Sequence, residues 1–327
     1  MKKGGRFTDL CKTVAFICIA LTGIVFAASA QEYPTKPISI MVPFAPGGMS
    51  DLPARAFSSV AEKYLGQPLV VVNKPGGKGL TGALDVAKGK PDGYMIGFFQ
   101  LHLAIPEAYA YFQEPPYTSN DLKVIAQLVV ATPTIAVKAD APWNTLADML
   151  AYARKNPVLK FGSQAEGTLA NMTMKLISKT ERIPLQAVPL DSDSVILTAV
   201  LGGHVPVGTI SFPTVKPHID AGKVKLLAVI LNERLSGAPK VPTIQECGYR
   251  LIFVPFVGFF APKGTPDAII KKLDATVKKV VDDPVFQERI HKLAIQTKYR
   301  NAEQFIADLD KYKKNIGAAF KKLGYTK

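Results

Sequence analysis

Gly47 and Gly48, followed closely by Ser50 and Asp51, are the residues of this chain whose types and spacing best suit ligand chemistry. A glycine pair lets the backbone bend tightly and lets a ligand approach the main chain. Ser50 or Asp51 can cap a helix, and the first-turn amides of a helix attract anions because they lack internal partners. The segment therefore predicts a pocket in which N–H groups of Gly47 and Gly48 receive an anionic group. A tight strand-to-helix turn without a ligand is the alternative.

Asp51 is predicted to organise this loop and not to act as a catalytic acid or base. At the start of a helix a carboxylate is favoured by the dipole and can accept amide hydrogen bonds. Because a carboxylate aimed at an anion would repel it, we expect the side chain to turn back toward the loop or to act through water. Asp51→Asn should then bind an anionic ligand about as well as the native protein.

Residues 77–82 match the dinucleotide pattern G-x-G-x-x-G, but the surrounding sequence argues against that function. Residues 73–76 separate the preceding strand from the first glycine, whereas the fingerprint needs the turn directly after the strand. The acidic residue about 20 positions further on is also missing at a strand end, because Asp92 lies in a Pro-Asp-Gly turn. The sequence thus predicts no nucleotide cofactor.

Catalytic and metal-binding patterns are equally weak. Residues 161–165 depart from G-x-S-x-G at the last glycine. The four histidines are scattered and have no carboxylate or cysteine at metal-ligand spacing: His102, His204, His218 and His291. We therefore predict no catalytic residue, metal or cofactor, although a Ser/His/Asp arrangement that assembles only in the fold stays open.

Apolar strand-like runs alternate with helical patterns, which predicts an α/β fold with mostly parallel sheets. The predicted strands are residues 38–42, 69–72, 95–99, 134–137, 159–162, 205–210 and 226–230. The predicted helices are residues 52–65, 81–87, 146–155, 169–180, 195–201 and 269–282. From Pro284 onward the pattern is helical, with no further strand expected. Without a low-complexity linker, two domains should share crossing strands near residues 127–135 and 250–258.

The first 30 residues have the pattern of a cleaved signal peptide. Basic residues such as Lys2 and Arg6 precede a short apolar run, and Ala28-Ser29-Ala30 supplies the cleavage site. The run is short for a membrane span, so an exported, periplasmic protein is predicted, with an uncleaved N-terminal anchor as the alternative.

The formal net charge of +14 raises the question of nucleic-acid binding. The lysines, however, occur as pairs on helical segments, and no basic groove is interleaved with aromatic residues. We therefore predict no nucleic-acid partner, and the positive charge would help to attract small anions.

Six segments carry a longer pattern that runs in order over nearly the whole chain after residue 30. Residues 33–57 hold the opening strand, glycine turn and helix, and residues 66–94 hold a second strand and helix with Pro-Gly-Gly and Pro-Asp-Gly-Tyr turns. The shorter segments are residues 161–168, 201–205, 241–249 and 261–266. Together they resemble the Bug-type periplasmic substrate-binding proteins of tripartite tricarboxylate transporters.

The resemblance implies a type II periplasmic-binding-protein fold, with two lobes and a ligand cleft between them. The implied division is a signal peptide (1–30), lobe 1 (31–131), lobe 2 (132–253) and a return to lobe 1 (254–327). Carried over to this chain, the first-lobe side of the cleft would consist of Phe44, Ala45, Pro46, Gly47 and Gly48. Ser163, Gly167 and Thr168 would face them, with the Ser163 and Thr168 hydroxyls bonding the ligand, unless Thr168 only caps its helix. The predicted ligand-binding set is completed by Ser50, Asp51, Phe99, Gln100, Asp191 and Ser211.

Several residues depart from the family pattern and leave the ligand open. Asn171 stands where the family often has histidine, and residues 190–192 replace a Tyr-Lys-Gly-like turn. If Glu166 and Asp191 point into the cleft, their charge disfavours a simple dicarboxylate and favours a zwitterion, cation or monocarboxylate. If they point outward, they are solvated charges at the rim. Phe98 and Phe99 are either core residues or flank an apolar part of the ligand.

The resemblance implies a monomeric receptor that captures a small organic carboxylate and presents it to the membrane components of a transporter. Ligand binding would close the two lobes by a hinge motion, without chemistry. Two other functions remain open from sequence alone. One is a periplasmic hydrolase on a similar frame, and the other is a sensor module that reports ligand occupancy to a signalling partner.

Overall fold

The structure of the protein is a computed structural model that describes residues 32–110, 114–164, 166–250 and 255–324. Its main compact unit begins at Lys36. The predicted signal peptide, residues 1–30, lies outside the described residues. Within the described ranges, no helix combines the length and the hydropathy that a bilayer span requires.

Helices and strands alternate along the described chain. The strands are β1 (Ile38–Val42), β2 (Leu69–Asn73), β3 (Met95–Gln100), β4 (Leu122–Val130), β5 (Pro133–Lys138), β6 (Leu159–Ser163), β7 (Leu185–Pro189), β8 (Val207–Ser211), β9 (Val224–Val229), β10 (Phe256–Pro262) and β11 (Gln296–Arg300). The α-helices are α1 (Asp51–Leu65), α2 (Leu80–Ala87), α3 (Leu101–Ala104), α4 (Leu146–Lys155), α5 (Leu169–Glu181), α6 (Asp193–Leu201), α7 (Phe212–Asp220), α8 (Asp267–Val281), α9 (Pro284–Lys292) and α10 (Ala302–Leu323). Every predicted strand and helix is confirmed, with ends shifted by two residues at most.

Two sheets form the cores of two lobes. The first has the strand order β11-β4-β10-β3-β1-β2, and the second has the order β7-β6-β8-β5-β9. The chain passes from the first sheet to the second between β4 and β5, in the region predicted for the first crossing. The second predicted crossing falls partly on residues 251–254, which lie outside the described residues. The lobe boundaries themselves stay a prediction.

Both sheets are mixed, which corrects the expectation of mostly parallel sheets. β1 runs parallel to β2 and β3, and β6 runs parallel to β7 and β8. The strands next to each crossing run the other way: β10 is antiparallel to β3 and β4, and β5 is antiparallel to β8 and β9.

Strand β11 corrects the prediction that the chain beyond Pro284 contains helices alone. It pairs antiparallel with β4 at the edge of the first sheet. Its sequence, QTKYR, is polar and mostly solvent-accessible, as suits an edge strand that must not attract another chain. The hydrophobic alternation that identifies buried strands is therefore missing here.

Packed aromatic rings fill the space between β3, β10 and the helices of the first lobe. The Phe98 and Phe259 ring centroids are 4.5 Å apart, and the Phe99 ring stacks on Phe260 at 4.7 Å. Phe305 of α10 contacts Phe256 edge-on at 4.6 Å. This core fixes the end of β3, so the residues that follow β3 have a rigid support.

Candidate functional site

The loop between β1 and α1, residues 43–50, is called the glycine loop below. Phe44 is buried, and Gly47 has φ +84°, in the left-handed region where glycine is favoured. The Gly48 carbonyl accepts hydrogen bonds from Asp51 N–H and Leu52 N–H, both at 3.0 Å. Ser50 holds the N-cap position, but its buried hydroxyl has no hydrogen-bond partner among the described residues.

Asp51 turns back onto the glycine loop, as predicted. Its Oδ2 accepts the Gly47 N–H at 2.9 Å, and its Oδ1 accepts the Asn73 side-chain amide at 2.9 Å. Arg55 Nε donates to both oxygens at 3.0 Å. Asn73 also donates to the Phe44 carbonyl at 3.0 Å, so one buried carboxylate and one amide tie the loop to β2 and α1.

The Asp51 contact corrects the prediction that the N–H groups of both Gly47 and Gly48 receive the ligand. The Gly47 N–H is already bonded to Asp51 and is not available to a ligand. The Gly48 N–H makes no hydrogen bond within the described residues. Of the two glycine N–H groups, it is the one that can still donate to a ligand.

Helices of the second lobe contact the glycine loop directly. Ser194 Oγ of α6 donates to the Pro46 carbonyl at 2.9 Å, and Thr214 Oγ1 of α7 donates to the Gly47 carbonyl at 3.2 Å. A Cβ placed on Gly48 would lie 3.9 Å from Asp193 Cβ. The glycine loop is therefore one of the places where the two lobes meet.

A cavity of about 40 Å³, the cleft cavity, lies between the lobes next to this contact. A single ordered water needs roughly 10–15 Å³ of such space, so a ligand of more than a few heavy atoms requires the lobes to part. The residues that line it come from both lobes: Gln100, Leu101, His102, Ala131, Pro133, Gln164, Thr168, Leu169, Ala170, Asp193, Thr209, Ser211, Pro255 and Phe256.

Three of the predicted ligand-binding residues line the cleft cavity. They are Gln100, Thr168 and Ser211. Ser163 lines a neighbouring cavity of about 110 Å³, the side cavity, together with Lys78, Glu166, Asn171, Ala187 and Pro189. Gly167 has φ +82° and lines neither of these two cavities.

Other predicted residues lie elsewhere. Phe99 is part of the aromatic core and does not touch the cleft cavity, because its ring is stacked on Phe260. Asp191 is exposed, so it is not a ligand-binding residue of this cavity. Glu166 is half-buried and pairs with Lys175 at 2.8 Å. The remaining predicted residues form or anchor the glycine loop beside the cavity: Phe44, Ala45, Pro46, Gly47, Gly48, Ser50 and Asp51.

Asn171, at the position where the resemblance suggested histidine, is buried at the start of α5. Its Nδ2 donates to Ser163 Oγ at 3.4 Å, and its Oδ1 has no hydrogen-bond partner among the described residues. The Ser163 hydroxyl thus accepts a hydrogen bond from the protein, and the Asn171 amide oxygen is an unsatisfied polar atom at the side cavity.

Sequence reasoning missed Asp193, Gln164, Thr209 and His102. Asp193 is the important omission, because a carboxylate near the cleft was expected at Asp191 instead. Ser192 Oγ accepts the Val195 N–H at 3.3 Å and caps α6, so the helix starts at Asp193 and not at Val195. If Ser192 had been identified as the N-cap from the sequence, Asp193 would have been placed in the first turn of α6. That turn lies beside the cleft cavity.

Burial dominates the electrostatics of Asp193 and raises the pKa of its carboxyl. The neighbouring Ser211 hydroxyl and N–H, the Met49 N–H and the Gln164 amide favour the charged form and offset part of this effect. Gln164 Nε2 donates to Oδ1 at 2.8 Å. Asp193 Oδ2 has no hydrogen-bond partner among the described residues.

His102 is a neutral side chain in the wall of the cleft cavity. Burial lowers the pKa of its imidazole to about 4, and a hydrogen bond to the Lys78 backbone opposes that shift only in part. The histidine therefore supplies no positive charge to this cavity at neutral pH. Among the residues that the structure describes, no three His, Cys, Asp or Glu side chains approach as a metal site.

The depressed pKa of His102 predicts a loss of stability in mild acid. The unfolded chain takes up a proton near pH 6.5, whereas the folded chain resists it until about pH 4. The stability due to neutral burial is therefore complete above pH 6.5 and declines by about 3 kcal/mol as pH falls to 4. Urea unfolding of the native protein and His102→Gln from pH 7 to pH 4 measures this. Their difference in unfolding free energy should shrink by that amount, and a pH-independent difference would contradict it.

Thr168 caps α5, since its Oγ1 accepts the Asn171 N–H at 3.3 Å. Thr168→Ala should therefore lower the free energy of unfolding by about 1 kcal/mol, and Thr168→Ser should restore it. Urea unfolding measures the cap. The affinity of the same variants for an identified ligand tests separately whether the hydroxyl also binds that ligand, which stays a prediction.

Comparisons with known proteins agree with this architecture. The sequence model of a protein family, described as tripartite tricarboxylate transporter family receptor, matches residues 54–324 of this chain. A Cupriavidus necator protein, the UPF0065 protein in the gbd 5′ region, is 31% identical over 321 residues, which cover 96% of this chain and 95% of that protein.

Two solved structures share the fold. The periplasmic binding protein BugD is 28% identical and has a TM-score of 0.83. The match covers 90% of this chain and 99% of BugD. MatC from Rhodopseudomonas palustris with bound malate is 24% identical and has a TM-score of 0.78. The match covers 89% of this chain and 99% of MatC. The predicted two-lobed α/β fold of type II periplasmic binding proteins is confirmed. This chain belongs to the Bug-type receptors of the tripartite tricarboxylate transporter family.

Proposed function

We propose that the protein is a periplasmic solute receptor that binds a small organic carboxylate in the cleft cavity and delivers it to the membrane components of a tripartite tricarboxylate transporter. The observation that carries the proposal is the cleft cavity itself. Its wall combines polar side chains from both lobes, with Gln100 on one side and Gln164, Thr168, Thr209 and Ser211 on the other. A ligand that bonds to both sides stabilises the closed arrangement of the lobes.

The donors around the cavity suit a carboxylate. Amide and hydroxyl groups donate hydrogen bonds to an anion, and the Gly48 N–H lies at the contact between the lobes. Lys78 lines the side cavity and makes no ion pair within the described residues. Malate, bound by the MatC structure of the same fold, gives a first dicarboxylate to test.

The protein is proposed to return its ligand unchanged. The cleft cavity holds one histidine, whose pKa of about 4 leaves it neutral near pH 7, and no group of described residues is arranged as a metal centre. Recovery of the bound ligand from the purified protein, followed by mass spectrometry, tests this. A chemically altered ligand would argue for the hydrolase alternative.

A thermal-stabilisation screen with small mono- and dicarboxylates, amino acids and aromatic acids tests binding. A ligand at 100-fold over its dissociation constant should stabilise the protein by about 2.7 kcal/mol. Gln100→Leu replaces a polar side chain of the cavity wall with an apolar one of similar size and should weaken the thermal stabilisation by ligand. The control variant Gln186→Leu, on the exposed side of β7, should not weaken it. If no carboxylate stabilises the protein, or if ligands stabilise both variants equally, the proposal that the ligand binds in the cleft cavity is wrong. Loss of ligand uptake by cells that lack this chain tests delivery.

A further inference from the structure

Asp193 places a carboxylate where the proposed ligand is itself an anion. The side chain lines the cleft cavity and is only 2% exposed. Gln164 donates to Oδ1 at 2.8 Å, and the Ser211 hydroxyl and N–H and the Met49 N–H lie near enough to favour the charged form. No donor among the described residues meets hydrogen-bond geometry at Oδ2, which is buried. An unsatisfied buried oxygen of a carboxylate is costly, and in most proteins a cation or several donors offset the cost.

The protein provides no cation at this point. Neither lysine nor arginine lines the cleft cavity among the described residues, and His102 is kept neutral by its burial. Lys78 lines the side cavity. The two cavities together present two acidic side chains, Asp193 and Glu166, and one basic side chain, Lys78. Glu166 is already paired with Lys175 at 2.8 Å, which leaves Asp193 and Lys78 without an ionic partner among the described residues.

We propose that Asp193 binds a positively charged amino group of the ligand, so that the solute carries an ammonium group as well as a carboxylate. This inference rests on the proposed receptor function and narrows its ligand class to amino acids and related zwitterions. An ammonium has three donors, and the wall offers it Asp193 Oδ2 together with oxygens of Gln100 and Ser211. Lys78 complements the carboxylate of such a ligand.

The opposite arrangement makes a different prediction. Asp193 could bind as the neutral acid and donate its proton to a ligand carboxylate. A dicarboxylate would then bind better than an amino acid of the same length. The preference between matched pairs of ligands therefore decides between the two.

The test measures affinity by isothermal titration calorimetry for three pairs of probes at pH 7. The pairs are L-aspartate and succinate, L-glutamate and glutarate, and 4-aminobutyrate and butyrate. The native protein should bind the amino member of at least one pair tenfold or more tightly than the other member. Asp193→Asn and Asp193→Ser should each reduce that preference at least tenfold, whereas Asp191→Asn, which removes an equal charge from a solvent-exposed site two residues away, should leave it unchanged.

The melting temperature without ligand separates a binding role from a structural one. Because the unpaired carboxylate is buried, Asp193→Asn should raise the melting temperature of the ligand-free protein or leave it unchanged. A lower melting temperature with an unaltered preference would show that Asp193 is structural and overturn the inference.

The remaining outcomes distinguish this inference from the receptor function. If succinate or glutarate binds the native protein and its amino partner does not, the inference is wrong while the receptor function stands. If neither these probes nor the wider carboxylate panel binds, the proposed function is wrong and the inference falls with it.

Discussion

Gly48→Val is expected to weaken ligand binding by about 10- to 100-fold while the protein stays folded. A Cβ at this position would lie 3.9 Å from Asp193 Cβ and 3.9 Å from the Ala45 carbonyl oxygen, which is ordinary contact. The two additional methyl groups of valine have no such space when the lobes are in contact. Overpacking of this kind costs about 1–3 kcal/mol, and 1.4 kcal/mol corresponds to a tenfold change in affinity.

Two neighbouring variants serve as controls for this prediction. Gly48→Ala should bind almost as well as the native protein, because the single methyl group fits and the Gly48 φ does not lie in the left-handed region. Gly47→Ala should instead lower stability by about 1–2 kcal/mol, since Gly47 has φ +84°.

Three measurements check the Gly48 series. Calorimetry gives affinity, far-ultraviolet circular dichroism gives folding, and small-angle X-ray scattering with and without ligand gives closure of the lobes. Gly48→Val should retain the native circular dichroism and fail to become more compact with ligand. Native affinity in a folded Gly48→Val protein would show that the glycine loop and α6 need not approach each other for binding.

The glycine loop shows how far sequence reasoning reaches. The apolar run of β1, the glycine pair and the acidic residue at the start of α1 are local patterns, and each predicted its element correctly. The orientation of Asp51 was also predictable, because a helix N-terminus attracts its own first-turn carboxylate. Its partner Arg55, four residues further along the same helix, follows an i,i+4 spacing that is visible in the sequence. Asn73 was not predictable, since it lies on β2 and meets Asp51 only in the folded lobe.

The errors have the same origin in long-range packing. Phe99 follows the pattern of a strand end near a cleft, yet its ring stacks on Phe260, which is far away in sequence. Asp191 and Asp193 are two residues apart, and the exact start of α6 decides which of them is buried. Strand β11 has no hydrophobic pattern of its own and is defined by its pairing with β4. Local periodicity cannot supply these contacts.

Asp51→Ala is expected to lower the free energy of unfolding by about 3 kcal/mol and to weaken ligand binding. The substitution removes a buried carboxylate that accepts hydrogen bonds from Gly47, Asn73 and Arg55. The Gly47 N–H and the Asn73 amide would lose the acceptor that holds the glycine loop against β2. A loosened loop must be ordered again whenever a ligand closes the lobes, so affinity should decrease together with stability.

The structure also changes the expectation for Asp51→Asn. All groups around the carboxylate are donors, because Gly47 N–H approaches Oδ2, Asn73 Nδ2 approaches Oδ1 and Arg55 Nε approaches both. Asparagine keeps one acceptor oxygen and turns an NH₂ group toward the remaining donors. Asp51→Asn should therefore be intermediate between the native protein and Asp51→Ala, in both stability and affinity.

Arg55→Ala separates the ion pair from the anchoring of the loop. The Arg55 side chain is 51% exposed and that of Asp51 is 2% exposed, so solvent screens the pair from the arginine side, and we expect it to contribute about 1 kcal/mol. Its removal should therefore cost far less than Asp51→Ala, because the hydrogen bonds from Gly47 and Asn73 persist. Urea unfolding of Asp51→Ala, Arg55→Ala and the double variant measures the two contributions. If Arg55→Ala were as destabilising as Asp51→Ala, the charge pair would hold the loop, and the acceptor role assigned to Asp51 would be wrong.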